Sequence, residues 1–266
     1  MMFGFNRPTA LLDDESVCWI LDVFDWALVN FNGQKFQAGT RLIYPNNDCF
    51  PGKESSVEGM AALIFAQVKT YAGIAAVPCE LQNEAGVSHA VPSDTGITEL
   101  PVVSDGKQWV FTYHTQTLNN PEVLIASFIH QIAWHIVSSA HNPPPGGSEN
   151  RPHAAEILAT VMGFGVIMAN TANTQKIRSC GSCSGPAVER ESFLSQYDMS
   201  YALAIFCALK NIPVKEVTPH LKKTLRTFYK KSHKEILNTT FSGHAKLASL
   251  HTTYFLNHQQ VIKDNS

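Results

Sequence analysis

Net charge is what this sequence has least of. Its 20 Lys and Arg nearly cancel 22 Asp and Glu, leaving a formal −2, and only 16% of residues are charged. Such a balance gives no electrostatic argument for a nucleic acid or an anionic membrane as partner, so neither is expected. Long apolar runs are also missing. The longest, Ile157 to Ala169, contains two glycines and falls short of the roughly 20 residues that cross a bilayer, so it reads as a buried core helix. No apolar stretch precedes Asp13-Asp14-Glu15, as a secretory leader would require, which gives a cytoplasmic expectation. The six cysteines are scattered; in that setting they read as reduced thiols and not as a disulfide framework.

What is present is apolar patterning, at 44% hydrophobic residues. Val17, Ile20, Leu21, Phe24, Leu28 and Phe31 recur at helical spacing and predict an amphipathic helix over 14–31. Thr40–Tyr44 reads as a short strand stopped by Pro45, and 46–52 as a turn region. Ser55 with Glu58 forms a capping box for a helix carrying Val57, Met60, Ala61, Ile64, Val68 and Tyr71. Four β-prone runs follow, Val77–Leu81, Gly86–Val91, Val102–Val103 and Trp109–Tyr113, separated by turn formers. Beyond them, Asn120-Pro121 opens a helix to about Ala140, and the break at 142–147 leads to a second from Pro152 to about Ala172. Ser195 caps a third, ending at Leu209, and Thr218-Pro219 starts a basic fourth with Leu221, Leu225 and Phe228. With no repeat and no linker, the chain is expected to be one α+β domain over 1–266. A small, mostly antiparallel sheet flanked by helices occupies 1–116 and a helical layer 117–266.

The segment with the most chemistry is His130-Gln131-Ile132-Ala133-Trp134-His135. A zinc-peptidase helix places two His at i and i+4, about 40° apart around the helix, and a Glu after the first as general base on the zinc-bound water. Here His130 holds the first position, Gln131 the base position and Trp134 the second His position. His135 falls at i+5, about 140° from His130. Glu156 on the next helix stands where a third, carboxylate ligand is expected, and His153 lies one turn before it. Gln cannot take a proton from water, and an indole offers only an N–H donor.

The stretch Leu124–Asn170, with Leu194–Phe206, Leu42-Ile43-Tyr44-Pro45 and Phe50-Pro51, resembles a bacterial zincin-like family related to HExxH metallopeptidases. The resemblance covers most of the chain. It implies a zincin-like fold with a strand near 109–113 beside the active-site helix, His130 and Glu156 as remnant ligands, and a degenerate motif at Gln131 and Trp134. The functional expectation is a pseudoenzyme, a metallopeptidase-like protein that binds a peptide, protein or small ligand without hydrolysis. No cofactor is expected, zinc being the one that the remnant could hold. Two alternatives stand beside it. One is an active metalloenzyme, a hydrolase with a rearranged zinc site from His130, Glu156 and one of His135, His141 or His153. The other is a structural or assembly protein acting through the Cys180 loop or the basic helix.

Plainer readings exist for each residue. His130 can be a hydrogen-bonded core histidine, Glu156 an ion-pairing or helix-start carboxylate, and His135 and His153 packing residues. Gly163 and Gly165 fit close helix packing. Cys180-Gly-Ser-Cys183 reads mainly as an ordinary Gly-rich loop, with half a metal knuckle or a redox pair as alternatives. The lysines at 222–234 read as a solvated helix face.

Overall fold

The computed structural model describes residues 10–31, 33–84, 109–172, 192–238 and 243–253, without the side chains of residues 34, 35 and 244. The predicted strands at 86–91 and 102–103 and the Cys180–Cys183 loop lie outside these residues.

Helices dominate. The first, α1 (Asp14–Asn30), is capped by Asp13, whose carboxylate accepts the Ser16 N–H. A short α2 (Gly33–Gly39) follows. Next comes α3 (Val57–Ala72), with Ser56 as cap, accepting from the Gly59 N–H. The cap is therefore one residue past the predicted Ser55, and with Gly59 at the third helical position it is a simple cap and not the predicted Ser55–Glu58 box.

Two strands, β1 (Cys79–Asn83) and β2 (Trp109–Tyr113), pair with Leu81 opposite Phe111. They run parallel, which corrects the antiparallel expectation among the described residues. The physical reason is connection length. Adjacent antiparallel strands close with a tight hairpin, whereas β1 and β2 are separated by 84–108, long enough for a crossover. The strand expected at Thr40–Tyr44 is also corrected. That segment joins no sheet; its Ile43 N–H donates to the Gly163 carbonyl (2.8 Å).

A 3-10 turn at 115–119 leads into α4 (Pro121–Ser138), capped by Asn120 with Pro121 in the first turn. The 142–147 loop is held by two α1 indoles: Trp19 Nε1 donates to the Pro145 carbonyl (3.0 Å) and Trp26 Nε1 to Asn142 (3.2 Å). The next helix is not continuous as predicted. It splits into α5 (Arg151–Ala159), a π turn at 160–164 and α6 (Gly165–Thr171). Gly163 sits at φ +99° with its Cα against the Arg41 carbonyl oxygen, which a Cβ would overlap. Gly165 does serve close helix packing: a Cβ there would come within 2.9 Å of Leu203. The whole stretch Ser148–Thr171 is long and apolar enough to cross a bilayer, but 94% of its most apolar window is buried inside the fold.

At the centre lies α7 (Gln196–Leu209), opened by a reciprocal Ser195–Asp198 capping box and buried on every face from Met199 to Leu209. A helix apolar all round belongs inside a core. Around it pack α6 and α9 (Lys223–Ile236), and α8 (Val214–Val217) and α10 (His244–His251) complete the described helices. The basic helix begins at Lys223 and not at Thr218; residues 218–220 form a separate 3-10 turn. Buried Asn170 fixes that junction. Its amide donates to Glu122 on α4 (2.7 Å) and to the His220 carbonyl (2.9 Å), and its oxygen accepts the Lys222 N–H (2.9 Å).

Candidate functional site

In the parallel pair, successive residues of β2 turn their backbone groups alternately toward β1 and away from it. Trp109 points inward, its N–H donating to the Pro78 carbonyl (3.1 Å). Val110 and Thr112 therefore present their N–H and C=O groups to the open edge, and the strand beside that edge position is replaced by α4. Gln131 closes on Thr112 from both sides: its Nε2 donates to the Thr112 carbonyl (2.9 Å), and its Oε1 accepts the Thr112 N–H (3.0 Å). The second amide hydrogen reaches Ser127 Oγ (3.2 Å). One turn on, the His135 ring lies flat on Trp109 (4.9 Å between centroids, 8° between planes), with Phe111 edge-on at 5.2 Å.

The spacing explains why this works. Four helical residues advance about 6 Å and two strand residues about 6.6 Å. Side chains at 131 and 135 thus meet β2 in step, at Thr112 and at Trp109 and Phe111, with helix and strand running in opposite directions. Gln131 is 8% exposed and His135 only 1%. Burial holds the His135 pKa below its ordinary value, and the Val110 backbone offsets this only in part. This ring is a neutral packing element and faces away from the other histidines.

An adjoining stripe of α4 carries His130 and Trp134, about 100° and 60° around the helix from Gln131, and α4 packs against α5. Two residues ahead of the α7 cap, Phe193 sits between two imidazoles, 5.9 Å from the His130 ring and 5.6 Å from that of His153. Leu194 donates its N–H to Glu156 Oε2 (2.8 Å), and Glu156 is fully buried. The segment 193–194 thus brings His130, His153 and Glu156 around one strap, while His135 is turned to β2 and His141 is exposed in the loop beyond α4. No three His, Cys, Asp or Glu side chains among the described residues stand close enough to share a metal ion. On α4 and α5, four buried hydrogen-bonding atoms have no partner among the described residues: Trp134 Nε1, Ser138 Oγ, Arg151 Nε and His153 Nδ1. Two cavities lie elsewhere, about 300 Å³ beside α3 and β1 and about 290 Å³ between α1, α3, α4 and α5, and neither is lined by these residues.

Comparison with models of protein families, with curated proteins and with solved structures finds no match. The site is therefore read from its own chemistry. Two of its parts are hidden in the sequence. Phe193 carries no motif, since a single aromatic before a helix cap is common. The use of Gln131 leaves no signature because its partner is backbone. The i, i+4 spacing of Gln131 and His135 is the one available sign that the two share a face.

Proposed function

We propose that this chain is a non-hydrolytic, metallopeptidase-like protein of the cytoplasm, in which the former catalytic helix supports the sheet and the α4–α5 seam binds a peptide, protein or small polar ligand. The observation that carries the reading is the two-point bond of Gln131 to Thr112. The residue at the general-base position is committed to the sheet edge, and its amide cannot accept a proton from water. The atoms of Trp134, Ser138, Arg151 and His153 that lack a partner among the described residues support the binding half, because buried polar groups in native proteins find protein, water or ligand partners. Their chemistry, an indole N–H, a guanidinium N–H, a hydroxyl and an imidazole, suits a ligand rich in acceptor oxygens.

The test is metal stoichiometry. Protein purified without chelator and analysed for elements is expected to hold no stoichiometric zinc, and titration with zinc to give only weak binding. One tightly held zinc per chain, with peptidase activity that chelation abolishes, would overturn the proposal in favour of a rearranged site.

A further inference from the structure

The balanced net charge conceals a separation. Residues 222–234 carry Lys222, Lys223, Arg226, Lys230, Lys231 and Lys234 and no acidic residue, which leaves −8 for the rest of a chain whose net is −2. The structure shows where those charges go. On α9 the apolar positions Leu225, Tyr229 and Ile236 are fully buried, and the helix packs against α7. Lys223, Lys230, Lys231 and Lys234 are exposed. None of their four ammonium groups has an ion pair or hydrogen bond among the described residues, and the one carboxylate on α9, that of Glu235, accepts from the Tyr201 hydroxyl (2.8 Å). By helical geometry they fall within an arc of about 100°, spread over about 16 Å of axis. Phe228 lies next to Lys231 on the flank of this arc, with its ring 4.8 Å from that of Tyr197, which is 46% exposed.

We infer that this face binds single-stranded nucleic acid without sequence preference. A line of lysines supplies point charges to successive phosphates, and the aromatic pair at its edge supplies a platform for an unstacked base. A duplex keeps its bases stacked and gains nothing from the aromatic flank. Membrane insertion is disfavoured because the apolar face of α9 is used up against α7, whereas an interfacial helix needs that face free. The negative remainder of the molecule repels a polyanion. The encounter is therefore confined to this face, within a Debye length of about 10 Å at 0.1 M salt.

The experiment is fluorescence anisotropy with fluorescein-labelled single-stranded (dT)20 and the full chain. Four lysine contacts give a salt slope of about −2.8, so the affinity is expected to fall about 50-fold between 50 and 200 mM salt. In K230Q/K231Q/K234Q the fall is expected to shrink to about 3-fold, with weaker binding at low salt. Tyr197→Ser is expected to cost about fivefold or more while leaving the salt slope unchanged. Thermal melts of each variant check folding, and single glutamine substitutions read the same slope where the triple variant melts early. Absence of binding, binding that the glutamines do not alter, or preference for the duplex would overturn the inference. Capture by phosphatidylserine vesicles without binding to (dT)20 would overturn it too, and would assign the face to a membrane surface.

Discussion

Replacing Gln131 by Glu is the sharpest test of how α4 is held. The change is nearly isosteric, yet the geometry predicts harm. An ionised carboxylate still accepts the Thr112 N–H but has no hydrogen for the Thr112 carbonyl or for Ser127 Oγ. One buried carbonyl is left unsatisfied, at about 1–3 kcal/mol, and a charge is placed at a site only 8% exposed. Together these suggest about 2–4 kcal/mol at about pH 7.5, with melting lowered by about 2–4 °C for each kcal/mol. The sign of the pH dependence follows. Burial raises the folded-state pKa of the introduced carboxyl above its unfolded value of about 4.3, so the penalty is present above that range and fades as pH falls. A protonated carboxyl can again donate to Thr112. Urea unfolding of wild type and Q131E at pH 7.5 and 5.0 would show the gap narrowing at the lower pH, whereas the gap for Q131M would stay constant. Equal stability of Q131E and wild type at pH 7.5, or a gap indifferent to pH, would refute the edge-capping role.

Further expectations concern other parts of the fold. Trp134→His, alone or with Phe193→Ala, places a second imidazole at i+4 from His130 and is expected to gain zinc affinity without peptidase activity; calorimetry that detects no gain would count against the resemblance to zincins. Gly163→Ala must hold a Cβ at φ +99° against the Arg41 carbonyl. This should cost about 2 kcal/mol or more by denaturant unfolding, since the left-handed conformation alone costs about 1–2. His135 and His233 both have pKa values lowered by burial. Their unfolded forms bind protons first, so wild-type stability should decline as pH falls through about 6.5. The decline should be shallower in H135F/H233F, as followed by thermal melts between pH 8 and 5.

Legibility in the sequence tracks how local the cause is. The helices at 14–30, 121–138 and 196–209 are readable because apolar spacing, Pro121 and the caps Asn120 and Ser195 act within one turn. Thr40–Tyr44 misleads because β-prone composition does not choose a partner, and here the Ile43 N–H meets the carbonyl of Gly163 and not a strand. The broken helix at 160–164 is hidden for the same reason: Gly163 reads as a packing glycine, and only its approach to Arg41 reveals the turn. Ser55 and Ser56 are chemically equivalent caps, and only the register of α3 on the core chooses between them. On the proposed reading, the side-chain chemistry of Gln131 and Trp134 alone speaks against hydrolysis. The positions of His135 on β2 and of Phe193 between the imidazoles depend on tertiary contacts, which no local pattern encodes.

The two faces of α4 bear on how hydrolysis would be lost on the proposed reading. Position 131 is bonded to Thr112 and the ring at 135 is stacked on Trp109, so the rotation of α4 is fixed by two contacts one turn apart. Turning residue 131 toward the His130 side requires about 100° of rotation, which would break both contacts and uncover the β2 edge. Reinstating Glu at this position therefore gives a side chain aimed at a strand, not at a water in the cleft. A zinc site rebuilt at Trp134 would accordingly bind metal without acquiring a base. That separation is measurable: zinc affinity should respond to W134H, and hydrolysis should stay absent in Q131E/W134H. Peptidase activity in that double variant would show that α4 can turn, and would refute the claim that Gln131 anchors it.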